Sequence, residues 1–585
     1  MITAHLLPDA AFTALAEGGG DPTTIGLLHD AQLSKHLMLL HAIAEAVNGT
    51  DRGSSAFRAG YELLARIQSA EPGACSWLLG LPQLGGWAHD CLIHLEQGSA
   101  ADFGHFACLA AAAAVRGGLP FRLEVPVRDR QVRLPGLGSL RVTDQSGWVH
   151  LASDGDYVSA GDQLRVGRGF LVPDDGSTAA IPEWSGTYLV RASTGGLTWN
   201  VLLETGDPYL DRYTLPMATG VTQEEYRDWR ERLRSAWDVL VTHHRWAAEP
   251  MADGISVIVP LMPRFATDLV SATTPAAFGA IATSWPPDPV TLAETLVHEF
   301  QHVKLCGLLD MVHLVQSGEG AVYAPWRQDP RPAGGLLQGI YAHLGIVRFW
   351  REQQHAETDP DDILRAQALF ARWAPSVDPA VQTLLNTGCL TREGVRFAGL
   401  MRARGRELVS AAVPGDAQRI AAEAALDHQL TWQMRHVAAD AADVADLVAA
   451  YRRGELCHRR PQALVRVQAE ARKVDSDARS RLLNLRYLEP ARYRDLCAGG
   501  VLPLSEPDRL LLAMSSAGAV RAYRDRIAGS ADPQPDAWIG LALALHQLPP
   551  SRVQPAFANR LPVMFEVHSR LGGRVDPLDL ASWFA

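Results

Sequence analysis

The sequence predicts an α+β fold that is mainly helical, with helical N- and C-terminal regions and a β-rich insert between them. Three observations carry this. Apolar residues recur at three- and four-residue spacing over roughly the first 118 positions, the period of a buried helix face. From Pro120 the pattern changes to apolar–polar alternation broken by Gly and Pro, the mark of half-buried strands. Helix signals return at Thr222 and continue to the end, with a break at Pro414-Gly415. The 585 residues thus divide into a helical region (1–119), a β-rich module (120–220), a central core (221–410) and a C-terminal helical region (411–585).

Composition narrows the class. At 47% hydrophobic residues the chain can fill several cores. With 54 basic against 65 acidic residues the net charge is −11, which argues against a nucleic-acid partner. Seven scattered cysteines without a C-x-x-C pair give neither a disulfide framework nor a zinc ribbon, and fit a reducing cytosol. The start Met1-Ile2-Thr3-Ala4-His5 lacks a signal-peptide pattern, and the most apolar stretch, residues 106–115, is half a membrane span. The expectation is a cytoplasmic protein with no membrane partner.

In order along the chain, Asp21-Pro22 starts a helix whose buried face is read as Leu27, Leu33, Leu37, Leu40, Ile43 and Val47. Tyr61, Leu64 and Ile67 continue the helical core. Strands are expected at Phe121-Arg122-Leu123-Glu124-Val125, Val132-Arg133-Leu134, Trp148-Val149-His150-Leu151, Tyr188-Leu189-Val190 and Trp199-Asn200-Val201-Leu202-Leu203. Gly136-Leu137-Gly138 reads as a hairpin turn, since no third glycine or following helix makes it a phosphate loop. The acidic turn after Thr222 starts a helix towards His243-His244, whose side chains diverge by about 100° and mark an exposed helix end. Residues 255–260 form a buried strand. The small, apolar run at 278–285 is read as a sheet edge on which a peptide adds as a strand.

Asp288-Pro289 is an N-cap followed by proline at the first helical position, and opens an apolar helix containing His298-Glu299-Phe300-Gln301-His302. Four residues of α-helix turn through about 400°, so His298 and His302 share a face and two imidazoles can reach one divalent cation, with Glu299 near its open side. Leu292, Leu296, Val297 and Leu305 imply burial, and burying these polar groups without partners is costly. The central region is therefore expected to be a zincin-like core built on a metal helix. A histidine six residues past His302 would complete a metzincin site, but Leu308 stands there. The third ligand is either His343, on a helical stretch, or Glu319, in a Gly-flanked loop; His313 and His355 are read as surface residues.

The segment from Leu292 to Leu305, with Tyr323-Ala324-Pro325-Trp326-Arg327-Gln328-Asp329-Pro330-Arg331-Pro332 and Leu337-Gln338-Gly339-Ile340-Tyr341-Ala342-His343, resembles the HExxH-type peptide-modification proteins encoded with bacterial ribosomal-peptide maturation systems, which are 2-oxoglutarate-dependent peptide β-hydroxylases. Gln32-Leu33-Ser34-Lys35 and residues 120–126 extend the resemblance towards the whole chain. It implies iron(II) rather than zinc, 2-oxoglutarate as cosubstrate, a ribosomal precursor peptide as substrate, and other maturation enzymes of the same cluster as partners. Three protein ligands leave an octahedral iron with three open positions, enough for a bidentate keto acid and dioxygen. The distal carboxylate of 2-oxoglutarate needs a cation, and an arginine fork suits it. Arg327 and Arg331 are the candidates, with Tyr323, Pro325 and Trp326 expected as a dry wall around Arg327.

Three readings stand. The leading one is the hydroxylase, with His298, His302 and His343 as ligands. The second is a zinc peptidase with His298, His302 and Glu319 as ligands and Glu299 as the base that activates water. The third is a non-catalytic scaffold that binds a leader peptide and uses the metal to staple its fold. Asp427-His428 and Cys457-His458 have no assigned partner and are expected at the surface or in packing.

Overall fold

A computed structural model describes residues 5–143, 147–161, 164–168, 184–210, 216–218, 220–262, 269–316, 318, 320–457, 465–467, 472–475, 477–498, 504–528 and 534–585. Helix accounts for 61% and strand for 12%, so the chain is mainly helical with a separate β-rich insert region. It divides into two units, Met1–His313 and Leu314–Ala585.

The first unit opens with helices α1 (Asp9–Ala16), α2 (Pro22–Ala46), α3 (Arg52–Ala70), α4 (Pro72–Leu79), α5 (Pro82–Glu96) and α6 (His105–Gly117). The Asp21 side chain caps α2 by accepting from the Thr24 amide, and Pro22 fills the first turn, where no amide donor is needed. The buried face of α2 runs through Ile25, Leu28, Gln32, His36, Leu40 and Ile43. Leu37 does not belong to it: the side chain sits one residue, about 100°, past this stripe and is 47% exposed. Residues 106–115 of α6 are all buried, and their alanines let α3 approach closely. A Cβ on Gly60 would lie 3.1 Å from the Ala107 Cα.

Strands β1 (Phe121–Pro126), β4 (Trp148–Ser153), β5 (Tyr157–Ala160) and β6 (Leu164–Gly167) form one antiparallel sheet in that order, and β2 (Gln131–Leu134), β3 (Gly138–Arg141) and β7 (Trp184–Gly186) form another. Gly136 turns between β2 and β3 at φ +74°, so the Gly136-Leu137-Gly138 segment is the expected hairpin. The third sheet contains β8 (Tyr188–Thr194), β9 (Leu197–Leu203), β10 (Val257–Pro260), β11 (Ser271–Ala272) and β12 (Ala280–Thr283), in the order β11-β12-β10-β9-β8. Here β9, β10 and β12 run parallel, while β8 and β11 are antiparallel edges.

The run at 278–285 is therefore not an edge. Its strand, β12, is bonded to β10 on one side and β11 on the other, and all four residues are buried. Small side chains suit this interior position, and a proline at Ala282 would break the ladder itself. The edge is the two-residue β11.

Between β9 and β10 lie α7 (Gln223–His243) and α8 (Arg245–Gly254). Thr222 and Glu225 form a reciprocal capping box at the start of α7. His243 is exposed, but His244 is fully buried, against expectation. The chain passes directly from α7 into α8, so this histidine sits in a junction rather than at an open end. The unit closes with α9 (Pro289–Leu309), which packs against α2, α7, α8 and the β11–β12 side of the third sheet.

The second unit contains α10 (Ala333–Gln353), α11 (Pro360–Asn386), α12 (Arg392–Val409) and α13 (Gly415–His436), with Pro414 at the expected break. A short ladder, β13 (Val437–Ala439) with β14 (Val465–Val467), precedes further helices whose core includes Leu430, Met434, Trp538 and Phe557. Among the described residues no helix is long and apolar enough to cross a membrane.

Candidate metal centre

The start of α9 follows its sequence signals. Asp288 accepts from the Thr291 amide at 2.8 Å and from the Thr291 hydroxyl at 2.6 Å, fixing the first turn. Measured around the helix from His298, His302 lies at about +40° and Glu299 at about +100°, whereas Gln301 and Lys304 fall at about −60° and −120°. The helix therefore has two polar arcs with different partners. On the second arc Lys304 is buried and donates to the carbonyls of Gly18 and Gly19 at 2.9 and 2.7 Å, and the Gln301 amide also reaches Gly18 at 3.2 Å. Those two residues of the motif segment tie the helix to the turn after α1.

On the first arc the Nε2 atoms of His298 and His302 lie 3.2 Å apart. Two nitrogens each roughly 2.1 Å from one ion would be about 3.0 Å apart in octahedral and about 3.4 Å apart in tetrahedral geometry, so the pair fits a shared cation of either kind. The His298 side chain is 29% exposed, which places it at a rim. Burial of the remainder, with His302 alongside, pushes its pKa down to about 4, although Glu299 opposes the shift. Near neutral pH it is therefore in the unprotonated form that a metal needs.

Glu299 is almost wholly buried. One carboxylate oxygen accepts the Ser271 hydroxyl at 2.6 Å and the other accepts the Thr273 hydroxyl at 2.7 Å. The first of these oxygens is 3.9 Å from His298 Nε2. Ser271 and Thr273 were not singled out from the sequence. Their signal is the two-residue spacing of hydroxyl residues in Ser271-Ala272-Thr273, which puts both on one face of an extended segment.

The other expected site residues belong to the second unit. His343 projects from α10 with its Nδ1 2.9 Å from the Gly339 carbonyl, an arrangement that puts the proton on Nδ1 and the lone pair on Nε2. The ring stacks on Trp326 at 4.2 Å and meets Trp373 edge-on at 4.9 Å. Trp326 can come this close because position 339 is glycine: a Cβ there would lie 2.2 Å from its indole nitrogen. Glu319 lies outside the described residues. His313 and His355 are exposed, as expected. Among the described residues no group of three or more His, Cys, Asp or Glu side chains is placed to hold a metal, so the observed fit to an ion is that of the His298–His302 pair.

Arg327 and Arg331 both reach the carboxylate of Asp329, at 2.8 and 3.1 Å. The expected dry wall around Arg327 is absent, since its side chain is 54% exposed. Tyr323 instead places its hydroxyl 2.9 Å from His428 Nδ1 and its ring against Trp432, and burial pushes its pKa up to about 12. Trp326 is committed to His343. The neighbouring Asp427-His428 pair is interior rather than superficial. Asp427 accepts from buried Arg479 at 3.0 Å, and burial pushes the pKa of His428 down to about 3. His458 lies outside the described residues.

No family model matches this chain, and no curated protein matches it.

Proposed function

We propose that this protein is an iron(II)/2-oxoglutarate-dependent hydroxylase of side-chain β-carbons in a ribosomally made precursor peptide. The observation that carries the reading furthest is the helical histidine pair with its Nε2 atoms 3.2 Å apart, beside a Glu299 whose two oxygens each already accept a hydroxyl. Both oxygens are engaged by hydroxyls of one segment, which fixes the carboxylate in place. This supports Glu299 as an orienting group rather than the water-activating base of a peptidase. On this reading His298 and His302, with His343 from α10, hold the iron in a zincin-like core, and Arg327, Arg331 and Tyr323 are the residues proposed for the cosubstrate. When bound, iron(II) supplies oxygen activation coupled to oxidative decarboxylation of the keto acid. The chain's own part is to keep His298 neutral, fix Glu299 through Ser271 and Thr273, and present a strand edge. The edge proposed for the peptide is β11, in place of the run at 278–285, because β11 is an outer strand and carries Ser271, one of the two hydroxyls that hold Glu299.

One assay separates the readings. The protein is mixed anaerobically with iron(II), 2-oxoglutarate and the precursor peptide, and oxygen is then admitted. The expected products are succinate and a peptide heavier by one oxygen. Peptide cleavage with zinc and without 2-oxoglutarate would establish the peptidase, with Glu319 as third ligand. Leader-peptide binding with neither product would leave a scaffold with a structural metal.

A further inference from the structure

Among its described residues the second unit buries three arginines, Arg372, Arg479 and Arg486. A guanidinium taken out of water needs a counter-charge taken with it. Arg479 has Asp427 at 3.0 Å and Asp508 at 3.3 Å, and Arg486 has Glu423 at 2.6 Å. Arg372, on α11, has no carboxylate at ion-pair distance among the described residues. Its Nε is buried without a hydrogen-bond partner, and its Nη2 donates to the Pro325 carbonyl only over a long 3.4 Å. The Tyr487 oxygen accepts one further hydrogen bond from it. Asp427, an acid whose charge acts on it, is already shared between Arg479 and Ser480.

Rings rather than acids surround Arg372. The guanidinium carbon lies 4.5 Å from the centroid of the Trp373 ring, and that ring also meets His343 edge-on. Tyr323 and His428, hydrogen-bonded to each other, are close enough for the arginine's charge to act on both. Aromatic walls with one planar, five-donor cation select a flat anion, which the fork binds through two parallel hydrogen bonds.

We propose that Arg372 anchors a carboxylate-binding site inside the second unit that takes a small organic acid. Identifying that acid as the keto-acid cosubstrate rests on the hydroxylase reading, and then moves the carboxylate anchor from Arg327 or Arg331 to Arg372. The preference for a carboxylate does not depend on that reading.

The test uses the full-length, metal-free protein and reads binding by tryptophan fluorescence, from Trp373 and Trp326, and by melting temperature. 2-Oxoglutarate and glutarate should bind and raise the melting temperature, and the neutral diamide of glutaric acid should not. Arg372→Gln should weaken acid binding by about 100-fold. Because an unpaired buried charge is removed, the same variant without ligand should melt at or above the wild-type temperature. If Arg372→Gln does not fold, Arg372→Lys keeps the charge but loses the fork, and should bind about tenfold more weakly. The proposal is overturned if no acid binds the wild-type protein, or if the glutamine or lysine variant binds with undiminished affinity. It is overturned equally if Arg372→Gln melts well below wild type without ligand, because the arginine is then structural. Acid binding through Arg372 without any peptide oxidation would keep this site and remove the hydroxylase. Oxidation that needs Arg327 and is untouched by Arg372→Gln would do the reverse.

Discussion

Helix α9 and the aromatic cluster around His343 both bury polar side chains, but they complete them differently. On α9 the charges away from the histidine pair are matched inside the fold: Lys304 by two glycine carbonyls and Glu299 by two hydroxyls. In the second unit Arg479 and Arg486 are matched by acids while Arg372 is not. The difference teaches how to separate scaffold from site. A buried charge with a counter-charge beside it is explained by folding, and one without a counter-charge asks for something from outside.

The largest test falls on the histidine pair. His302→Ala should lower affinity for iron(II) or zinc by at least about a thousandfold, read as bound metal after dialysis, because it removes one of the two ligands that α9 supplies at chelating distance. Retention of metal would break the comparison at once. Next, Lys304→Met should cost about 2–3 kcal/mol in denaturant unfolding, since it removes a buried donor to the Gly18 and Gly19 carbonyls, whereas Arg372→Gln should cost nothing. Gly339→Ala should cost about 1–3 kcal/mol and move Trp326 off His343, seen as a changed tryptophan emission.

The pH dependence puts one buried histidine of each unit side by side. Burial lowers His105 from 6.5 to about 4 and His428 from 6.5 to about 3. Below pH 6.5 the unfolded chain takes up the protons that the folded one refuses, so their contribution is intact above that pH. It should be lost at up to about 1.4 kcal/mol per pH unit per histidine on acidification, ending near the folded values. His105→Phe should flatten this slope, and an unchanged slope would remove His105 from the account. The smallest effect belongs to Leu37→Gln, within about 0.5 kcal/mol of wild type because the side chain is exposed, against about 2–5 kcal/mol for Leu40→Ala.

What could be read from the sequence was what short-range rules govern. Asp21, Thr222 and Asp288 cap their helices through the residue three positions ahead, and the His298–His302 pair needs only one helical turn. The hairpin at Gly136 is equally local. What could not be read depends on distant pairing. Strand β12 is interior because a two-residue strand covers it, and so short a strand carries no periodicity. Glu299 finds its donors 26 and 28 residues earlier, and His244 is buried where one helix passes directly into the next. Arg372 looks like any arginine on a helix until its neighbours are known.

The bonds from Lys304 to Gly18 and Gly19 join segments 286 and 285 positions apart. A ribosome making about 5–20 residues per second would need roughly 15–60 s to cover that distance. The turn after α1 therefore leaves the exit tunnel long before the ammonium that holds it has been synthesised. Helix α9 is then the part that closes the N-terminal half, and removing the first 20 residues should expose a buried lysine on the back of α9 while the histidines on its front remain one turn apart.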